Sequence, residues 1–313
     1  MILFICLKIK EMNLFTFTAN FTSEESCRLH FKAERDKQGV VCKCCSHTEH
    51  YWIKSRWSYE CKACRHRTSL RSGTIMESSN LSFLIWYKTM FLLSATIKGF
   101  SSKEIQKQLG LKRYEPVWAM VHKLRKAMGN RGAKYTLEGM IEMDEGYFSV
   151  ETSEIERNKG IRGKGAKGKS NVAILAESTP LENLETGETS SHCPYFKAKV
   201  LSGHSSEDID KTLQESIDNK SIVFTDKSTS YVNIADYVEL HMTEKSTKKS
   251  TKETLRWVHI TISNTKRTLL GNYHKIKGKY LQLYLNEFVY KLNRRYFGER
   301  IFERLVIANI TGL

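Results

Sequence analysis

The sequence is poor in proline, and it has no glycine- and serine-rich tract of the kind that links domains flexibly. Only 3 of its 313 residues are proline. The apolar run at residues 81–100 is interrupted by Lys88, so it predicts a buried helix and not a membrane span. The apolar residues 1–15 lack the small-residue cleavage site of a signal peptide, and Met12 is an alternative start. We therefore expect a cytoplasmic, nucleoid-associated protein with no membrane partner.

Acidic residues are scarce relative to basic ones. The chain carries 50 Lys and Arg residues against 34 Asp and Glu residues, which gives a formal net charge of +16 and a pI near 9.4. This balance favours a polyanionic partner, most simply nucleic acid, although a ribosomal or membrane-surface protein would share it. A hydrophobic content of 40% excludes wholesale disorder. The length is sufficient for two or three domains.

The cysteines are clustered. Five of the eight lie between residues 42 and 64, which indicates a metal site and argues against a disulfide scaffold in a chain of this length. Two C-x-x-C pairs, Cys42 with Cys45 and Cys61 with Cys64, have the spacing of a zinc ribbon, in which two knuckles hold one tetrahedral Zn²⁺. Cys44 is too close to its neighbours to replace either member of the first pair, and we treat it as a bystander.

Aromatic and basic residues alternate between the two cysteine pairs. They predict a short hairpin whose aromatic side chains form either a core or a nucleic-acid face. The aromatic residues are Tyr51, Trp52, Trp57 and Tyr59, and the basic ones are Lys54 and Arg56.

Residues 80–132 have the pattern of helices. One helix opens at Ser101 and ends at Gly110, and Pro116 lies in the first turn of the next. Two short helices joined by a glycine-containing turn are typical of a helix-turn-helix motif, whose second helix enters the DNA major groove. The alternative is a plain helical bundle with a solvated basic face. The basic residues expected to contact DNA are Lys123, Arg125 and Lys126.

The rest of the chain alternates between strand and helix patterns, and the order of these elements predicts a ribonuclease H-like α/β fold. The expected strands are 139–150, 171–177, 195–202, 221–225 and about 237–242, and the expected helices are 205–217 and one from about 253. Between the first two strands lies a glycine-rich basic run, which is either a solvated loop or a contact for the DNA backbone. Its candidate DNA-binding residues are Arg162, Lys164, Lys167 and Lys169.

Two of these strands carry an aspartate, Asp144 in the first and Asp226 at the end of the fourth. An ionised carboxylate is costly to bury unpaired, whereas two carboxylates at one sheet edge would bind a divalent cation such as Mg²⁺. In a two-metal site, Asp144 would bridge both ions and Asp226 would bind one. A third ligand from the following helix must be neutral, because no Asp or Glu lies between Glu253 and Glu287.

The candidates for the third ligand are His259 and Asn264. On an ideal helix, His259 shares a face with Ser263 and Lys266, whereas Asn264 points about 140° away from His259. Both therefore cannot face one metal, and the helix geometry favours His259 together with Lys266.

Motifs along most of the chain resemble the IS1595 family of insertion-sequence transposases, also called ISXO2-like. After the cysteine pairs they are EMDEGYF, FTDKSTSY and WVHITISNTKRTLLGNYHKIKGKYLQLYLNEFVYKLNRRYF. The resemblance implies a DDE-type catalytic domain that cuts and joins DNA at terminal inverted repeats and in target DNA, with Mg²⁺ or Mn²⁺, as a homo-oligomer. By the family's motif, Asp144 and Asp226 are catalytic carboxylates. SNTKR matches the family's Asn-type variant, which makes Asn264 the third ligand and Lys266 a phosphate contact.

Four parts are expected along the chain: a helical extension (1–38), a zinc ribbon (39–79), a helical DNA-binding segment (80–132) and a ribonuclease H-like catalytic domain (133–313). The expected function is that of a DNA transposase. Two alternatives remain open. One is an inactive, sequence-specific DNA-binding protein, which the missing third carboxylate favours, and the other is a cellular ribonuclease H-like nuclease that cuts DNA without joining it.

Overall fold

The computed structural model describes residues 12–312 except for 97, 152–167, 183–188, 204, 246, 248–253 and 274–275. Contacts divide the chain into two compact units. The first consists of Met1–Ala127 and Arg294–Leu313, and the second of Met128–Asn293. The sequence placed residues 133–313 in one domain, whereas the contacts of the final segment lie within the first unit.

The described helices and strands follow the predicted order. The helices are α1 (Leu14–Asn20), α2 (Glu24–Gln38), α3 (Phe83–Ala95), α4 (Ser102–Gln108), α5 (Glu115–Ala133), α6 (Ser206–Ser216), α7 (Arg256–Asn272), α8 (Leu281–Leu292) and α9 (Ile301–Thr311). The strands are β1 (His50–Ile53), β2 (Ser58–Cys61), β3 (Arg67–Ser69), β4 (Met140–Ser149), β5 (Lys169–Glu182), β6 (Thr189–Val200), β7 (Ile222–Asp226) and β8 (Leu240–Glu244). β5 and β6 are longer than predicted because they continue to pair with each other past the point where β5 stops pairing with β4.

In the first unit, β1, β2 and β3 form an antiparallel sheet, and the β1–β2 hairpin lies between the cysteine pairs as predicted. Its aromatic residues are divided between core and surface. Tyr59 is buried and donates a 2.7 Å hydrogen bond to Asp36 of α2, and the Lys32 ammonium lies 4.8 Å from the centre of the Trp52 ring. Tyr51 is 52% exposed. Of the two predictions for the aromatic side chains of the hairpin, a core is therefore the correct one on the side that faces α2.

Ser23 caps the start of helix α2. The Ser23 hydroxyl accepts a hydrogen bond from the Ser26 N–H, and the Ser26 hydroxyl accepts one from the Ser23 N–H. Near the other end of α2, the buried Arg35 donates hydrogen bonds to backbone carbonyls in and after β3. Helix α2 is thus attached to the ribbon sheet by polar as well as apolar contacts.

Helix α3 is buried over most of its length, as its apolar sequence predicts. Within the described residues, no helix is both long and apolar enough to cross a membrane. Helix α9 packs on α2 and α3, and its Phe302 ring contacts the rings of Phe17, Phe21 and Phe91. This aromatic cluster explains why Arg294–Leu313 belongs with the first unit.

Helices α4 and α5 confirm the two-helix pattern. The Ser101 hydroxyl caps α4 by accepting a 3.1 Å hydrogen bond from the Glu104 N–H. Gly110 follows α4 with a φ of 63°, a left-handed conformation that glycine adopts without strain. Pro116 lies in the first turn of α5, where its missing N–H costs nothing.

The second unit contains a five-stranded sheet in the order β6-β5-β4-β7-β8. The central strand β4 is antiparallel to β5 and parallel to β7. The outer pairs follow the same division, since β5–β6 is antiparallel and β7–β8 is parallel. The chain therefore completes one side of the sheet with β4, β5 and β6 before it crosses through α6 to the other side.

Each face of this sheet has its own apolar core. Facing α7 and α8, the buried residues include Val172, Ile174, Ala176, Val258, Ile262 and Leu285. Facing α6, they include Ile141, Met143, Leu175, Ile209 and Leu213. Because successive residues of a strand point to opposite faces, the even-numbered residues of β4 face α7.

Two amide side chains, one in α8 and one directly after it, bind the backbone at the outer edge of β6. Gln282 accepts a 2.8 Å hydrogen bond from the Val200 N–H and donates a 2.9 Å bond to the Ala198 carbonyl. Asn293 accepts from the N–H of Phe196 and donates to its carbonyl. These four backbone groups, which an edge strand would leave open, are therefore paired within the unit.

We predict that Gln282→Ala lowers the free energy of unfolding by about 1–2 kcal/mol, because the Ala198 carbonyl and the Val200 N–H lose their partners. Gln214 lies on the exposed side of α6, and Gln214→Ala is the matched control, with an expected change within about 0.5 kcal/mol. Urea unfolding followed by circular dichroism measures both. Equal effects of the two substitutions would show that the β6 edge does not need the amide.

Candidate functional site

Four cysteine side chains converge in the first unit. The Sγ atoms of Cys42, Cys45, Cys61 and Cys64 all lie within 4.8 Å of one another. The Cys45 Sγ is 3.3 Å from the Cys64 Sγ and 3.6 Å from the Cys61 Sγ. Cys44 is exposed and lies outside this cluster, as expected for a bystander.

The two C-x-x-C pairs have the same backbone geometry. The Ser46 N–H donates to the Cys42 carbonyl at 2.9 Å, and the Arg65 N–H donates to the Cys61 carbonyl at 3.0 Å. Ser46 and Arg65 both adopt a left-handed φ, of 59° and 61°. Each tight turn directs its two thiols towards the same point. Hydrogen bonding from the Cys45 N–H lowers the pKa of the Cys42 thiol to about 6, which favours the thiolate that binds metals.

Four thiols in this arrangement are the donor set of a closed structural zinc site. A tetrahedral ion satisfies all four, and no position is left for a substrate. The cluster therefore supports Zn²⁺ bound by the four cysteines predicted from the sequence.

In the second unit, alternate residues of β4 contact successive turns of α7. This β4–α7 contact combines hydrogen-bonding, charged and apolar side chains along one line. The pairs in strand order are Glu142 with Trp257 and Val258, Asp144 with His259, Gly146 with Ile262, and Phe148 with Lys266.

Gly146 permits the close approach of α7 to the strand. A Cβ atom at this position would lie 3.3 Å from the Ile262 Cγ2 and 3.0 Å from the Phe148 ring. Both distances are shorter than ordinary van der Waals contact, so a larger residue would push the helix or the ring away. The glycine therefore helps to bring His259 within reach of Asp144.

Asp144 and Asp226 occupy corresponding places on neighbouring parallel strands. Glu142 pairs with Phe224, so the residues two positions further along each strand are the two aspartates. Burial raises the pKa of Asp144 to about 6, and the negative charge of Asp226 adds to the rise, against a hydrogen bond from the Glu145 N–H. The two carboxylates thus repel each other in a poorly solvated place.

Helix α7 presents His259 to Asp144 and turns Asn264 away. The His259 Nδ1 lies 3.6 Å from the Asp144 Oδ2, and burial lowers the pKa of His259, which favours the neutral imidazole. The Asn264 side-chain oxygen instead accepts a 2.8 Å hydrogen bond from Arg267. Lys266 lies on the same side of α7 as His259. Its positive charge offsets part of the rise in the pKa of Asp144.

This donor set fits a divalent cation, because it offers two carboxylates and a neutral imidazole. A cation would offset the burial and the repulsion from Asp226 that together raise the pKa of Asp144. In the part of the chain that the structure describes, only the four cysteines already form a compact group of potential metal ligands. Asp144, Asp226 and His259 would therefore have to draw closer around an ion.

Glu145 faces the opposite side of the sheet from Asp144 and serves a different purpose. Its carboxylate accepts hydrogen bonds from the Asn171 amide and from the hydroxyl of the buried Tyr231. Tyr231 lies in the short turn that follows Asp226. These contacts tie the chain after β7 back to β4 and so help to fix Asp226.

The basic residues predicted to contact DNA from α5 have different environments. Lys126 is exposed, whereas Lys123 is half-buried and donates a 2.7 Å hydrogen bond to the Glu77 carbonyl. Arg125 is fully buried beside Leu124, on the inward face of α5. This burial corrects the prediction that Arg125 contacts DNA, because its guanidinium does not reach the surface.

Three of the other predicted DNA contacts, Arg162, Lys164 and Lys167, lie outside the described residues. Lys169 is the first residue of β5 and is exposed. A role of these residues in DNA binding stays a prediction.

Sequence reasoning did not identify Glu142 as part of the β4–α7 contact. Glu142 is buried, and burial raises its pKa to about 7, against hydrogen bonds from the Val258 and Trp257 N–H groups. One feature of the sequence indicates such a contact. Leu255, at the start of α7, has no side chain that can cap a helix, so the first N–H groups of α7 need an acceptor from another element.

Comparison with known protein families gives two matches. Residues 136–293, half of the chain, match the model of the ISXO2-like transposase domain of IS1595 transposases. Residues 22–67 match a transposase zinc-ribbon domain, and this match includes α2 as well as the cysteine pairs. No curated protein sequence matches the chain.

We predict that Cys45→Ser reduces the zinc content of the purified protein from about one ion per chain to near zero, because a structural site needs all four thiolates. Cys44→Ser is the matched control and should retain the ion. Elemental analysis of both proteins measures this. Zinc loss in Cys44→Ser alone would require a different ligand set.

We also predict that Asp144→Asn raises the free energy of unfolding by about 1–3 kcal/mol at pH 8 without divalent cations. Folding the wild-type protein then buries a carboxylate whose pKa is raised from 3.8 to about 6. The gain should shrink as the pH falls through 6 and vanish below the unfolded pKa, where the wild-type carboxyl is protonated in both states.

Urea unfolding at pH 8, 6 and 4 measures this effect of Asp144→Asn. Asp236→Asn, at an exposed position, is the control and should change stability by less than about 0.5 kcal/mol at each pH. A loss of stability in Asp144→Asn at pH 8 would contradict the raised pKa of Asp144, to which burial and the charge of Asp226 both contribute.

Proposed function

The chain belongs to the IS1595 (ISXO2-like) family of transposases, and from this premise we propose that it cuts and joins DNA ends at a divalent-metal site built on Asp144 and Asp226. The observation that carries the proposal is the parallel pairing of β4 with β7, which places the two aspartates side by side facing α7. A transposase acts on DNA, and the net charge of +16 suits that polyanionic partner.

The proposal includes a ribonuclease H-like fold for the second unit. Three antiparallel strands, a crossover helix and two parallel strands in the order β6-β5-β4-β7-β8 support it. In this arrangement Asp144 lies on the central strand and Asp226 at the end of its parallel neighbour. The helix that follows the last strand then carries the third functional position.

His259 is proposed for that third position, in preference to Asn264. The His259 imidazole lies 3.6 Å from the Asp144 carboxylate, whereas the Asn264 amide is hydrogen-bonded to Arg267 on another side of α7. Lys266 lies two turns after His259 on the same side and would contact a DNA phosphate.

A divalent cation such as Mg²⁺ or Mn²⁺ held at this site would activate an attacking hydroxyl or water and stabilise the leaving oxygen of a phosphodiester. The residues of the chain have complementary tasks. Asp144 and Asp226 supply the anionic oxygen ligands, His259 supplies a neutral nitrogen, and Lys266 holds the DNA backbone. The raised pKa of Asp144 would fall as a cation binds, because the cation favours the ionised carboxylate.

The proposed DNA partners are the terminal inverted repeats of an insertion element and its target DNA. The exposed Lys126 and Lys169 and the zinc ribbon are the proposed contacts in the described part of the chain. Since two DNA ends must be joined, the active form is proposed to be a homo-oligomer. With DNA as its proposed substrate, its proposed location is the cytoplasm, at the nucleoid.

A second candidate function is DNA binding without catalysis. The feature that favours it is the absence of any Asp or Glu between Glu253 and Glu287, which leaves α7 without a carboxylate for the site. This protein would bind the same DNA through the first unit and would not cut it.

We predict that the wild-type protein cuts and joins duplexes carrying the terminal repeat of its own element when Mg²⁺ or Mn²⁺ is present. Asp144→Ala should lower the rate by more than about 100-fold, because two anionic oxygens are needed to hold the metal. His259→Ala should lower it by about 10- to 100-fold, and Asn264→Ala by less than about 3-fold. Gel assays of cleavage and strand joining measure these rates.

Asn264→Ala is the matched control for His259→Ala, since both shorten a polar side chain on the same helix. A large loss in Asn264→Ala with an active His259→Ala would assign the third position to Asn264. Tight binding of the repeat without cleavage under either metal would instead support the DNA-binding candidate.

A further inference from the structure

Helix α7 begins without a capping side chain of its own. Leu255 occupies the N-cap position and makes no side-chain hydrogen bond to the helix. The preceding residue, Thr254, donates its hydroxyl to Glu244 of β8. The first N–H groups of a helix have no partners within it, so α7 must obtain acceptors from elsewhere.

Glu142 supplies these acceptors from strand β4. Its Oε2 accepts a 2.7 Å hydrogen bond from the Trp257 N–H and a 3.2 Å bond from the Val258 N–H. Glu142 is 3% exposed, and the Ser178 hydroxyl donates a further hydrogen bond to its carboxylate. The N-terminus of a helix carries a partial positive charge, which attracts the side-chain oxygens of Glu142.

The same two elements carry the candidate catalytic residues a short distance further on. Asp144 follows Glu142 by two positions on β4, and His259 follows Trp257 by two positions on α7. The Asp144–His259 contact is therefore adjacent to the Glu142 hydrogen bonds on both elements. A movement of the first turn of α7 would be passed directly to the His259 imidazole.

We propose that Glu142 is a positioning residue of the candidate active site, which holds the first turn of α7 on β4 and thereby keeps His259 against Asp144. This inference rests on the proposed function of Asp144 and His259. Glu142 itself touches neither DNA nor the reacting atoms in this role. It acts through the backbone of Trp257 and Val258, which a side chain of a different length or polarity cannot hold in the same way.

Two substitutions separate hydrogen bonding from packing. Glu142→Met keeps the length and approximate volume of the side chain but removes the acceptor. Glu142→Gln keeps both the length and one acceptor oxygen. Glu177 provides the matched control, because it is a buried carboxylate of the same unit that accepts hydrogen bonds from the Tyr135 hydroxyl and the Glu138 N–H. It pairs with Ile141, whose side chain lies in the core on the α6 face of the sheet, so Glu177 lies on the face away from α7.

The experiment compares wild type, Glu142→Met, Glu142→Gln and Glu177→Gln by two measurements on the full chain. Hydrogen exchange followed by mass spectrometry reports the protection of the first turn of α7 relative to α8. Cleavage kinetics on the terminal-repeat duplex with Mg²⁺ report kcat and KM separately.

We expect Glu142→Met to accelerate exchange in the first turn of α7 by about 10-fold relative to α8, since two buried N–H groups lose their acceptor. Its kcat should fall about 10-fold while KM for DNA stays within about 2-fold. Glu142→Gln should recover exchange and kcat to within about 3-fold of wild type. Glu177→Gln should leave both the α7-to-α8 exchange ratio and kcat within about 2-fold.

Equal exchange of α7 in Glu142→Met and wild type would overturn the proposal. So would an equal fall of kcat in Glu142→Met and Glu177→Gln, because this would indicate a general loss of stability. A wild-type protein that never cuts DNA would defeat the proposed function, whereas the exchange ratio would still decide whether Glu142 holds α7. The two failures are therefore distinguishable.

Discussion

The attachment of helix α7 to the central strand β4 is the constraint on which the candidate site depends. Glu142 holds the start of the helix by its backbone, and Gly146 leaves room for Ile262 one turn later. Between these two contacts, Asp144 meets His259. The geometry of the candidate site is thus determined by a strand and a helix that lie far apart in sequence and are fixed to each other on both sides of Asp144 and His259.

The first unit is stabilised by a different balance of interactions. The strands of its ribbon sheet contain only three or four residues each, so they bury little apolar surface on their own. A structural zinc ion held by four thiolates contributes folding free energy directly. Helix α2 supplies the rest, through Arg35 and through the aromatic side of the β1–β2 hairpin. The ribbon is therefore stable as part of a larger unit that also includes α9.

Function and stability oppose each other in the second unit. Glu142 is buried and Asp144 is half-buried, and this loss of solvation raises the pKa of both carboxylates above the usual range. Replacing either with an apolar residue would remove a desolvation cost, but it would also remove a proposed metal ligand in the case of Asp144 and a helix cap in the case of Glu142. Buried charges of this kind persist when a partner compensates them: backbone N–H groups for Glu142, and a bound cation for Asp144 under the proposed function.

The sequence by itself determined the features that depend on local spacing. These include the four-cysteine site, the order of strands and helices, and the two strands that carry Asp144 and Asp226. Only the tertiary structure decided which distant groups meet. It buried Arg125, turned His259 instead of Asn264 towards Asp144, and brought Glu142 to the start of α7. The physical reason is that periodicity identifies the face of an element, whereas the packing of two elements sets which residues on those faces come into contact.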